Sequence, residues 1–135
     1  MDLAGLTLRR RHGMRVVKAT YTRLPPLADA IAFEELRYGL HGGLLETAMM
    51  CYLAPTLVQL EEYQAAPPAA PLGDALVSAE GAAAYSWLAE DLSAQGVAGD
   101  ASHASAALGE RLVRHYARQL AIVVTETAQL PPLTN

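Results

Sequence analysis

The stretch "LHGGLLETAMMCYLAPTLV", residues 40–58, decides how the chain is read. It opens on polar and backbone-flexible residues, His41, Gly42 and Gly43, and continues into an apolar body interrupted by Glu46. Pro55 disfavours helical geometry at Ala54, so the pattern predicts a helix over residues 44–53 that begins just after the glycine pair. Two glycines let the backbone come close to a ligand or metal, and a histidine beside them can move protons near neutral pH. A glutamate in the first helical turn can point into the same cleft. The same four residues also suit an ordinary helix start, with a turn at the glycines, His41 in solvent and Glu46 favouring the helix N-terminus. Residue chemistry by itself leaves both readings open.

Working outward, "DLAGLTLRRRHG" reads as a short helix, its arginines at the C-terminal end where cations favour the helix dipole and Gly13 available for a left-handed stop. "MRVVKATY", residues 14–21, is rich in β-branched residues and predicts a strand, giving the helix, glycine, strand succession of an α/β layer. "RLPPLADAIAFEELRYG" begins on a helix-excluding proline pair and continues as a short amphipathic helix, with Leu27, Ile31 and Leu36 expected inward and Glu34 and Glu35 outward. Residues 61–81, "EEYQAAPPAAPLGDALVSAEG", form a Pro/Ala-rich excursion with an edge strand expected at "ALVS". A long helix follows from about Ser102 to Thr127, capped by Asp100 or Ser102, with an apolar stripe of Leu108, Leu112, Tyr116, Leu120 and Val124. One α/β domain over residues 1–135 is expected.

The chain has 135 residues, 52% hydrophobic and 18% charged, enough for a real core. Its net charge of -4 and pI near 5.5 leave no electrostatic footprint for nucleic acid beyond the short cluster "RRRHGMR". No apolar run approaches the roughly 20 residues of a membrane span. Cys51, the single cysteine, lies among Met49, Met50 and Tyr52 and reads as a packed thiol, so a reducing, cytoplasmic setting is expected. His12, His103 and His115 lack the spacing of a zinc motif and are expected in solvent. Trp87 can be a core plug or a substrate wall. Phosphate-binding loops, dinucleotide fingerprints and serine-hydrolase elbows do not occur.

"HGGLLETAMMCYLAPTLV" resembles the segment of the creatininase family written H-[AG]-G-x-x-E-T-S-x-M-L-x-L-x-P-x-L-V, without gaps. "GVAGDASHASAALGERLV", residues 96–113, resembles the same family's G-V-x-G-D-P-x-x-A-T-x-x-x-G-E-x-L segment, with Trp87 and "EDLS" ahead of it as the family commonly has. Ala48 stands where the family has serine and Ala101 where it has proline. The resemblance is to the family's later half, from just past its N-G-H-G-G-N loop.

The resemblance implies a layered creatininase-type α/β fold and a metal-dependent amidohydrolase acting on a creatinine-like cyclic amide or another small amide, with zinc, manganese or iron in a dinuclear site. It implies that His41 is the proton-transfer residue, that Gly42, Gly43 and Trp87 shape the substrate site, and that Glu46 lies at the metal. The family's E-x-H-G-x-H-L-P motif, bridging aspartate and N-G-H-G-G-N loop have no counterpart here. One glutamate and one histidine cannot lower the pKa of a water shared by two cations, so the isolated chain is expected to be inactive. Its expected partners are a small amide and either further copies of itself or a complementary N-terminal half. The alternative is a non-catalytic assembly module that keeps the family's scaffold.

Overall fold

A computed structural model describes residues 3–63, 76–79 and 82–133. Most of the Pro/Ala-rich excursion, residues 64–75 and 80–81, lies outside the described residues. The chain divides into two compact units, Leu27–Arg114 and the pair of segments Met1–Pro26 and His115–Asn135. No helix is long and apolar enough to cross a membrane among the described residues.

In the unit of the two terminal segments, helix α1 covers Leu3–His12. Arg9, Arg10, Arg11 and His12 fill its last turn, where positive charge meets the unsatisfied carbonyls. Gly13 ends it as expected, at φ +65°, with its N–H donated to the Arg9 carbonyl at 3.0 Å. The strand expected over residues 14–21 does not form: residues 14–20 have no regular structure, and a single 3₁₀ turn follows at Tyr21–Arg23. A strand exists only by pairing, and among the described residues no backbone hydrogen bond is made by Met14, Val16 or Val17. Val16 and Val17 are accordingly exposed, as are Leu3 and Leu6. Tyr116 is the buried centre of this unit, edge-on to Tyr21 at 5.4 Å between ring centroids, and burial pushes its phenol pKa up. His115, expected in solvent, instead hydrogen-bonds through Nε2 to the Pro25 carbonyl at 2.7 Å, which places the ring proton on Nε2.

In the other unit, helix α2 is confined to Phe33–Tyr38 and starts well after Leu27. Glu34 is exposed as expected and Leu27 and Ile31 are half-buried, but two positions are reversed. Glu35 is buried while Phe33 and Leu36 are exposed, because two backbone amides described below await the Glu35 carboxylate. Helix α3 covers Leu44–Leu53, the range read from the sequence, and Ala54 closes it by donating its N–H to the Met50 carbonyl. Pro55 then opens a 3₁₀ turn. Ala48 and Cys51 are the buried residues of α3, in keeping with a packed thiol. The strand expected at "ALVS" is present as β1, Val77–Ser78, paired in parallel with β2, Ala83–Ala84. This helix-rich mixture with few strands is compatible with an α/β fold. Helix α4, Ala89–Leu92, is fixed at its start by the Asp91 carboxylate, which accepts the Leu88 N–H at 2.8 Å.

Helix α5 covers Ala106–Gln129 and so begins later than expected. Neither Asp100 nor Ser102 caps it; Ser105 does, its hydroxyl oxygen accepting the Leu108 N–H at 3.2 Å. Leu112 and Tyr116 of the expected stripe are buried, but Leu120 and Val124 are 40% and 68% exposed. Steps of four residues drift by about 40° each on a helix of 3.6 residues per turn, so the stripe leaves the core before the helix ends. Gly109 lets α5 press against α3, since a Cβ there would overlap the Ala48 carbonyl. Ser105→Ala should lower stability by about 1 kcal/mol in urea unfolding, the usual loss on removing such a cap.

Candidate functional site

The residues singled out in the glycine pair and first turn of α3 lie together, beside the "GVAGD" segment. His41 and Ala98 make an isolated antiparallel bridge: the His41 N–H donates to the Ala98 carbonyl at 3.2 Å and the Ala98 N–H to the His41 carbonyl at 2.8 Å. This tie between the two segments is made by backbone groups. Gly42 turns the chain into α3 at φ +65°, a region that favours glycine. Its N–H donates to Glu46 Oε2 at 2.7 Å, and its carbonyl accepts the Thr47 hydroxyl at 3.1 Å. Glu46 thus reaches back from the first turn of α3 to Gly42, one residue ahead of the N-cap Gly43, in a variant of the capping arrangement.

The same Glu46 Oε2 lies 4.0 Å from His41 Nδ1, an ion-pair distance whenever the imidazole is protonated. Both side chains are about half exposed, so the pair stands at the surface rather than in a closed chamber. An accessible imidazole with a carboxylate beside it can accept and return a proton near neutral pH.

Beneath this pair the backbone is packed unusually tightly. Gly43 is buried, and a Cβ there would overlap Glu35 Oε1. A Cβ on Gly99 would come within 2.5 Å of Gly43 Cα. Glu35, buried between them, accepts the Leu44 N–H on Oε1 at 2.7 Å and the Asp100 N–H on Oε2 at 2.9 Å. Tyr63 joins from the other side: its hydroxyl accepts the Ala101 N–H at 2.9 Å and faces the Gly99 carbonyl at 3.0 Å and Asp100 Oδ1 at 3.4 Å.

Sequence reasoning missed both Glu35 and Tyr63. Glu35 looked like one of two solvated glutamates, and Tyr63 stood at the edge of a proline-rich loop. Only the glycines opposite them carried a signal.

Hydrogen bonds from Ser102, first its side chain and then its N–H, hold the Asp100 carboxyl below its ordinary value, aided by Tyr63 and opposed by partial burial. A depressed folded-state pKa stabilises the loop above the unfolded value of 3.8, and that contribution is lost as pH falls through the folded value. The Asp100 carboxyl carbon, followed by NMR, should titrate below pH 3.8, and Ser102→Ala should move the midpoint up.

Trp87 is half-buried between β2 and α4, and among the described residues no hydrogen bond or ring contact joins it to His41 or Glu46. A groove of about 360 Å³ lies elsewhere, in the unit of the terminal segments, lined by Leu6, Met14, Val16 and Leu133 with Arg9 and Arg15.

The donor set does not suit a dinuclear metal centre. Glu35 spends both carboxylate oxygens on backbone amides and Glu46 spends Oε2 on another. Among the described residues there is no group of three or more His, Cys, Asp or Glu side chains that could hold a metal ion.

The family model described as Creatininase, creatinine amidohydrolase, matches residues 1–124. The match extends over most of the chain, well beyond the two segments that carry the resemblance. No curated protein and no solved structure matches.

Proposed function

Because the chain belongs to the creatinine amidohydrolase family, a family of amidohydrolase type, we propose that it contributes the proton-transfer part of a site that hydrolyses a small amide, a creatinine-like cyclic amide being the substrate class. The observation that carries this reading is the His41 imidazole, held on a backbone bridge to Ala98 and 4.0 Å from Glu46. As water adds to an amide carbonyl, the leaving nitrogen must gain a proton before the C–N bond breaks. His41 takes that proton from the attacking water, becoming an imidazolium that Glu46 favours, and passes it to the leaving nitrogen. Gly42 and Gly43 shape the loop that carries His41, and they are assigned to the substrate site on the resemblance. Trp87 is assigned to the wall of the same substrate site on the resemblance alone.

A divalent zinc, manganese or iron ion is the family's expected group, but the carboxylates here are engaged with backbone amides and no step is assigned to a metal. In this reading the chain corresponds to the later part of the family's layered domain. A complementary polypeptide supplies the E-x-H-G and N-G-H-G-G-N motifs; the alternative partner is further copies of the chain itself. Glu46, at the edge of the site, would then sit at or just outside the metal centre that the two parts complete.

The test is metal content and creatinine turnover of the purified chain, alone and mixed with a polypeptide carrying those motifs. The chain alone should bind zinc or manganese weakly and turn over no faster than background, and the mixture should gain both metal and activity. Tight stoichiometric metal and clear turnover by the chain alone would show the catalytic residues to be misassigned. A stable assembly inactive in every mixture would favour the scaffold reading instead.

A further inference from the structure

We propose that Glu35 is a positioning residue for His41: its buried carboxylate pins the start of α3 to the Gly99–Asp100 turn and so holds the bridge on which His41 is carried. The role rests on the proposed function only for its catalytic consequence; the pin itself stands on geometry. Glu35 is 8% exposed, and among the described residues no salt bridge involves it. A buried carboxylate without a cation is costly unless its lone pairs are well used. Here each oxygen accepts one backbone amide, Leu44 from one side and Asp100 from the other, partners 9 and 65 residues away along the chain.

Three glycines from two segments make room for the group. A Cβ on Gly39 would lie 2.5 Å from Oε1 and one on Gly99 2.8 Å from it, while one on Gly43 would overlap it. The cradle suits a carboxylate in particular. Two N–H donors converge on it, and of the side chains of this length only an ionised glutamate is acceptor on both atoms. Glutamine has the same shape but turns an NH₂ donor toward one of the two amides, so it can satisfy one segment and must release the other. His41 lies three residues before Leu44, and its partner Ala98 lies two residues before Asp100. The pin and the bridge are thus two adjacent ties between the same segments, and loosening the first frees the second.

Amide hydrogen exchange on the full-length chain tests this, with wild type compared to Glu35→Gln. In wild type the Leu44 and Asp100 amides should be strongly protected and should exchange together with those of His41 and Ala98. In Glu35→Gln one of the first two should exchange about ten- to hundredfold faster, the loss expected for a hydrogen bond to a charged acceptor. The His41 ring signals should shift while the Leu112 methyl signals do not, a change that general loosening of the core would not produce. Unprotected Leu44 and Asp100 amides in wild type, or a Glu35→Gln chain with unchanged exchange and unchanged His41 signals, would overturn the proposal. Should Glu35→Gln fail to fold, the wild-type measurement decides: concerted protection of the four amides supports the pin, and independent exchange refutes it. In the complemented turnover assay, Glu35→Gln should lower kcat with KM little changed. Loss of that effect while His41→Ala still abolishes turnover would count against Glu35 alone. Indifference to His41→Ala would count against the proposed function and leave the exchange result standing.

Discussion

Replacing His41 by alanine should lower amide hydrolysis by the complemented assembly about 10²- to 10⁴-fold, the usual contribution of a positioned acid–base side chain. The loss should fall on the chemical step. The His41 ring is about half exposed, and the ties that hold its segment are the residue's own N–H and carbonyl, which alanine retains. Folding and docking of the variant should therefore match wild type, by unfolding midpoint and by co-elution with the partner polypeptide. Glu46→Gln makes a useful contrast. It removes the charge beside the imidazole and weakens the acceptor for the Gly42 N–H, so it should affect both rate and stability. Turnover unchanged by His41→Ala would remove the proton-transfer assignment whatever the fold of the variant.

Gly109→Val should produce the largest loss of stability of any substitution considered, about 3 kcal/mol, at the upper end of the range for overpacking. The atom in the way is not the tip of a flexible side chain. It is the Ala48 carbonyl, part of the α3 backbone, and the added Cβ would also come within 2.9 Å of the Tyr52 Cβ. Relief requires α3 to move as a body, and α3 carries Glu46 in its first turn. Gly13→Ala provides the control. A side chain there meets nothing within 4 Å, so only the left-handed backbone at φ +65° is strained, which costs roughly 1 to 2 kcal/mol. A urea midpoint for Gly109→Val no lower than that for Gly13→Ala would show that α3 and α5 do not touch as described.

Features that depend on local chemistry were legible in the residues alone. Gly13 and Pro55 stop their helices at the expected places because a left-handed residue and a missing N–H act on their immediate neighbours. The bounds of α3 and the family resemblance are local in the same sense, the first carried by one contiguous run and the second by two. His41, Gly42, Gly43 and Glu46 were within reach because they span a single turn and six residues.

Features that need a partner from far along the chain were not legible there and emerged with the fold. Residues 14–20 have the composition of a strand, but a strand needs a paired neighbour, and among the described residues Met14, Val16 and Val17 make no backbone hydrogen bond. Helix α5 follows its apolar pattern only while there is something to pack against, so Leu112 is buried and Val124 is not. Glu35 reads as solvated in a short run of charged residues, since nothing nearby shows that amides 9 and 65 positions later converge on it. Tyr63 likewise takes its role from Gly99–Ala101 across a loop. Burying a carboxylate or a phenol is unfavourable until its partners arrive, so such residues are placed by the fold and remain silent in the sequence.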